Sequence, residues 1–172
     1  MKNYAFLMAI LATLVSCGQG SGTGDGASSG GDLKMIDLVT TQDGSPLKID
    51  AAMFDTPAAK EFIATGKNPY VGKADDIKEG KKKFNLFSCQ ACHGGAAEGA
   101  VGPSLQGPNF KYAKNATNKG MFETIWHGTN GGMGAKGLGL MQPDNPAEGL
   151  RPDDVLKVIA FIRSNGTMTG NE

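Results

Sequence analysis

The chain has 172 residues, enough for one compact domain with extensions and little more. Lys and Arg number 17 and Asp and Glu number 17, so no net basic field invites nucleic acid. Three cysteines are too few for a disulfide scaffold, and glycine, at 26 residues, is well above ordinary usage.

Residues 1–17 read as an export signal. Lys2 supplies a positive start, and residues 4–15 (YAFLMAILATLV) form an apolar run. That run is shorter than the about 20 residues a membrane-spanning helix needs. Leu14, Val15, Ser16 and Cys17 resemble the lipobox of bacterial lipoproteins, which implies that Cys17 is lipidated and becomes the mature N-terminus. The alternative is an ordinary signal cut near the same place. Residues 18–31 (GQGSGTGDGASSGG) bury no apolar surface and predict a flexible tether. The expected location is therefore periplasmic, at a membrane through a lipid anchor.

After the tether the sequence divides into an N-terminal extension (32–67), a helical domain (68–166) and a tail (167–172). In the extension, Asp43 and Gly44 predict a hairpin turn. Thr56 as N-cap, Pro57 in the first helical position and Gly66 past the end predict a short helix with Ala58, Phe62 and Ile63 inward. A second helix is predicted over 75–87, with Ile77, Phe84 and Phe87 apolar. Gly80 inside it costs about 1 kcal/mol against alanine, which points to a close-packing contact.

A third helix spans 118–127, with Met121, Phe122, Ile125 and Trp126 on its apolar side and Gly128 as its stop. The fourth starts at Pro152, places Asp153 and Asp154 at the positive helix end, and shares one face among Val155, Ile159 and Ile162. Arg163 falls in its last turn and Gly166 closes it. Residues 128–150 between these helices form a long loop rich in Gly, Pro and Asn. No strand-rich segment follows residue 50, so the predicted class is mostly α. Aromatic content of 7% leaves a modest core, and a bound group is expected to fill the middle.

Cys89-Gln90-Ala91-Cys92-His93 supplies that group. C-x-x-C-H is the attachment signature of haem c: two thiols on one helical turn each add to a vinyl group, and the following histidine bonds the iron. A thioredoxin-like motif would need a βαβ surround, and a zinc site a second ligand pair. For the sixth iron ligand His127 closes a helix and reads as structural. Met121 belongs to a core stripe, Met53 precedes the domain and Met168 lies in the tail. Met133 and Met141 remain in the long loop. Met133 is preferred because Gly131, Gly132 and Gly134 around it permit close approach to a flat ring; Met141 stays open. Near Pro103, a backbone carbonyl accepting the His93 N–H and a plain loop turn are both open readings.

Gly80 and Phe84 ahead of Cys89–His93, then Gly102-Pro103, a loop methionine and a closing amphipathic helix resemble a class I cytochrome c. Residues 61–70 (EFIATGKNPY), Glu98-Gly99, residues 121–125 (MFETI), the glycine turn over 130–134 and residues 156–163 (LKVIAFIR) resemble the cytochrome c-L family. The resemblance implies a fold of three to five helices around one covalent haem, carried by Cys89 and Cys92, with His93 proximal and a loop methionine distal. It implies an electron carrier and no enzyme. The donor would be a periplasmic quinoprotein methanol or alcohol dehydrogenase using pyrroloquinoline quinone, and the acceptor a second cytochrome c or a terminal oxidase. Some relatives bind Ca2+ near a haem propionate, which makes calcium an expectation by resemblance only. The tether and the extra residues 142–149 depart from the family pattern. An open-iron sensor, a small haem peroxidase and a general respiratory cytochrome are the competing functions. Lys111, Lys114, Lys119 and Lys136 are expected to flank the haem-side loops and steer an acidic partner.

Overall fold

Four helices carry the architecture: α1 (Pro57–Thr65), α2 (Ala74–Leu86), α4 (Asn118–His127) and α5 (Pro152–Ser164), with the single turn α3 (Cys89–His93) between α2 and α4. The computed structural model describes residues 35–167 and Asn171; the signal, lipobox and tether predicted over 1–31, and Met168, lie outside the described residues. Short 3-10 turns precede α1 (Ala51–Met53) and α4 (Ala113–Ala116). Among the described residues β structure is limited to two isolated bridges, Val39 to Pro46 and Gly137 to Leu150.

The helix punctuation works as the side-chain chemistry requires. Thr56 Oγ1 accepts from Ala59 N at 3.1 Å, Pro57 opens α1, and Gly66 ends it at φ +78°, a left-handed conformation that costs glycine little. Thr117 caps α4 in the same way, accepting from Gly120 N at 3.0 Å. The second helix runs one residue earlier than predicted at each end, and α4 has the predicted bounds.

One apolar core holds the helices together. Phe62 of α1 packs on Phe122 of α4 (ring centroids 4.8 Å), and Phe122 stacks on Trp126 at 5.6 Å. Phe84 of α2 meets Phe161 of α5 at 5.2 Å. At that α2–α5 crossing Gly80 touches the Lys157 carbonyl, so a side chain has no room. The extension over 32–67 contributes Leu38, Phe54, Phe62 and Ile63 to the same core. Apolar filling thus comes from the extension as well as from any bound group.

A polar hub joins α1 to α5. The Thr56 and Tyr70 hydroxyls each donate to Asp153 Oδ1 at 2.6 Å, and Lys157 pairs with Asp153 Oδ2 at 3.0 Å. Burial works against the Asp153 carboxylate, but the hydroxyls of Thr56 and Tyr70 and the Lys157 ammonium outweigh it and lower its pKa.

After α4 the chain turns at Gly128, passes Met133 and rejoins the helix through Lys136 N to Ile125 O (3.0 Å) and Gly137 N to Trp126 O (3.0 Å). Residues 138–149 then leave and return at a narrow neck: Leu138 N donates to Leu150 O at 2.9 Å and Leu150 N to Lys136 O at 2.7 Å. Gly137 lies flat on the indole, where a Cβ would stand 2.6 Å from Trp126 Cδ2.

Candidate cofactor site

A cavity of about 340 Å³ opens between the α3 turn, the loop after it, α4 and the Met133 turn. That is within the about 300–1,000 Å³ usual for small-molecule and cofactor sites. Cys89, Cys92, His93 and Met133 all line it, and Phe84, Met121, Ile125, Val158 and Ile162 supply apolar walls.

The local fold explains how the motif is aimed. Ser88 adopts φ +59°, an uncommon left-handed conformation for a residue with a side chain, which turns the chain out of α2 and into α3. The two thiols are free of disulfide, and burial pushes the Cys89 thiol up. His93 is buried, and its Nδ1 lies 2.8 Å from Pro103 O, so the carbonyl accepts the ring N–H. Gly102 makes the approach possible: a Cβ there would stand 3.1 Å from His93 Cε1, while its N–H donates to Cys92 O at 2.8 Å. With Nδ1 held in this way, Nε2 is the nitrogen left with a free lone pair.

The turn after His93 is tied by Glu98. Its carboxylate accepts from Ala96 N at 2.7 Å, and backbone hydrogen bonds, its own N–H first, lower its pKa. Gly94, at φ +78°, leaves the space this carboxylate occupies.

On the opposite wall, Met133 sits in a glycine turn closed by Thr129 N to Met133 O at 2.9 Å. Met141 is absent from the cavity lining, and so is His127. The donor set present, two thiols one turn apart, an oriented imidazole and a thioether facing one apolar cavity, suits a covalently attached haem with mixed nitrogen and sulfur ligation. Cys89 and Cys92 could carry its links, and His93 and Met133 could hold its iron. Among the described residues no group of three or more His, Cys, Asp or Glu side chains could hold a metal ion, so no carboxylate cluster stands for calcium.

The expected steering lysines divide. Lys111 and Lys136 line the cavity. Lys114 and Lys119 are absent from that lining, and their ammonium groups pair with the fully buried Glu123 at 2.6 and 2.7 Å. Glu123 is the residue that sequence reasoning missed. An amphipathic reading of α4 gives a polar residue at this position no reason to be inside: the Lys119 pair at i,i+4 reads as an exposed one, and the Val39 N–H that also binds the carboxylate comes from a distant segment.

The comparisons agree with this geometry. The family model described as Cytochrome c matches residues 77–166. The chain belongs to the cytochrome c family. Within it, the relatives are cytochromes c-L. The Methylorubrum extorquens protein named cytochrome c-L is 42% identical over 109 residues, covering 63% of this chain; the chain spans 50% of that relative's length. The crystal structure of cytochrome cL from Hyphomicrobium denitrificans is 39% identical with a TM-score of 0.64, over 75% of this chain and 73% of that one. That of the marine methylotroph Methylophaga aminisulfidivorans is 35% identical with a TM-score of 0.62, over 75% and 79%.

Proposed function

We propose that this chain is a single-haem electron carrier that accepts single electrons from a periplasmic quinoprotein methanol or alcohol dehydrogenase. It passes them to a second cytochrome c or a terminal oxidase. The observation that carries the reading is the convergence of Cys89, Cys92, His93 and Met133 on one cavity in a chain whose relatives are cytochromes c-L. Haem supplies an iron that cycles between Fe(III) and Fe(II), with no substrate chemistry of its own.

The side chains have distinct tasks in this reading. Cys89 and Cys92 form the two thioether links. His93 gives Nε2 to the iron while the Pro103 carbonyl fixes its ring and raises its basicity. Met133 gives the soft distal sulfur, which favours Fe(II) relative to a second histidine. Phe84, Ile125 and Ile162, apolar walls of the cavity, would shield a bound haem from water. Val101, 91% exposed and on the cavity lining, offers an apolar contact, and Lys136, also in that lining, a charge, for a small transient interface. Cys17 carries the lipid anchor, and among the described residues no helix is long and apolar enough to cross a membrane.

The test is reduction of the purified holoprotein by a quinoprotein methanol dehydrogenase supplied with methanol, followed by absorbance. Rapid, saturable reduction supports the reading. Failure with an active dehydrogenase, together with fast oxidation by a terminal oxidase, would assign the protein to general respiratory transfer.

A further inference from the structure

The segment before α1 runs across α4 and holds it by side chains at every step. Val39 N donates to Glu123 Oε1 at 2.8 Å, and Lys114 Nζ donates to Val39 O at 3.4 Å, so both backbone groups of Val39 are taken by one buried ion pair. The Thr41 and Thr124 hydroxyls meet at 2.8 Å. Gln42 Nε2 donates to His127 O at 3.4 Å, and Gln42 O accepts from Asn130 Nδ2 at 2.7 Å. These contacts walk along α4 from Glu123 to His127 and end on the turn that carries Met133. All of residues 39–42 lie outside the span matched by the cytochrome c family model.

The turn has an outside hold at its outer end. A Cβ on Gly132 or Gly134 would meet nothing within 4 Å, so the side-chain direction of both glycines is open, while the backbone of Met133 and Gly134 lies close against Gly128. Glycine backbone is the most expensive to order, and here the offsetting side-chain contacts come from Met133, packed against the core, and from buried Thr129. Inside the turn, Thr129 N to Met133 O and Gly131 N to Thr129 Oγ1 close the loop, but they do not say where it sits on the protein. The exit of the turn is anchored on α4 by Lys136 N to Ile125 O and Gly137 N to Trp126 O, and the Asn130–Gln42 bond fixes its entry side to the segment before α1.

We infer that residues 39–42 are a positioning strap: by holding Asn130 they keep the glycine turn in the place from which Met133 faces the cavity. This rests on Met133 being the distal ligand. Asn130 is a positioning residue that acts through Met133 and touches no bound group itself. When the bond is lost the turn opens more often, the thioether leaves more often, and an external ligand competes better for the iron.

The experiment uses the full-length holoprotein. Asn130→Ala removes the donor, and Asn130→Asp keeps the shape while setting an acceptor against the Gln42 carbonyl. Cyanide binding to the ferric protein should become about tenfold faster in both, the change that about 1.4 kcal/mol corresponds to. The sulfur-to-iron charge-transfer band should weaken and the reduction potential should fall. Covalent haem content should stay the same. Thr41→Val, which loosens the strap without touching the turn, should move the same readouts by less. Wild-type cyanide rates and potential in both Asn130 variants would overturn the inference and leave the strap as packing alone. If Met133→Ala itself leaves the band and the cyanide rate unchanged, the ligand assignment falls instead, and the two failures are told apart.

Discussion

Gly80 and the Lys157 carbonyl touch across the α2–α5 crossing, and Phe161 Cβ stands 3.2 Å from where a Gly80 side chain would begin. The contact is backbone against backbone, so it cannot be relieved by turning a side chain. Gly80→Ala gains about 1 kcal/mol of helix propensity but must separate two packed helices, which costs about 1–3 kcal/mol or more. The second term wins. Thermal unfolding of the holoprotein should show a lower midpoint for Gly80→Ala, and an unchanged or higher midpoint would mean that the crossing is softer than its geometry.

The two loop methionines should behave differently. Met133→Ala should abolish the sulfur-to-iron charge-transfer band of the ferric protein and lower the reduction potential, because loss of a soft axial sulfur destabilises Fe(II). Met141, which is not in the cavity lining, should leave both unchanged when replaced by alanine. Spectra and voltammetry of the pair decide it. Loss of the band in Met141→Ala alone would reverse the assignment.

Glu123 has no exposed surface, yet its two lysine partners are partly in water. Breaking a buried pair costs about 3–5 kcal/mol; here both ammonium groups can turn outward, so Glu123→Ala should cost nearer 1–3 kcal/mol. Glu123→Gln keeps an acceptor for Val39 N and should cost less. Urea unfolding midpoints of the two variants provide the comparison, and equal losses would show that charge, not the hydrogen bond, holds the strap.

The turn directly after the strap carries an acid-sensitive carboxylate. Asp43 accepts from the Thr40 hydroxyl and from Ser45, the Thr40 bond being the larger cause, and its pKa falls to about 2. A folded pKa below the unfolded value of about 3.9 means that the stabilisation is present above that value and disappears as pH falls towards 2. Wild type should therefore exceed Asp43→Asn in stability at neutral pH, and the two should converge near pH 2. Denaturant midpoints measured across that range test the sign.

Membrane attachment through Cys17 has a direct measurement. Mass spectrometry of the mature N-terminus should find a cysteine carrying two or more acyl chains, since one chain binds only marginally. An unmodified N-terminus at Gly18 or beyond, in the soluble fraction, would remove the anchor.

Much of the fold could be read from local chemistry. Thr56, Pro57 and Gly66 announce α1 because capping and left-handed geometry are decided within a few residues. Cys89, Cys92 and His93 announce the site because their spacing is the chemistry. Gly80 was legible as a contact but without its partner, since Lys157 lies in a helix far along the chain. Glu123 was not legible at all. Its burial depends on Lys114 and Val39 arriving from outside α4, and no periodicity within α4, which contains only the Lys119 pair, carries that information. The same holds for Asp153, whose two acidic-end roles, dipole partner and hydroxyl acceptor, look alike in sequence.

The neck at Gly137 and Leu150 separates what happens beyond it from the redox centre. Of residues 138–149, Leu138 packs against the core cluster, and none lines the cavity. A longer loop closed at the same neck loses only about 0.6 kcal/mol for each doubling of its length. An affinity peptide or a surface-coupling group spliced between Asp144 and Asn145 would thus enter a loop that lines no part of the cavity, and the protein could be wired to an electrode through it.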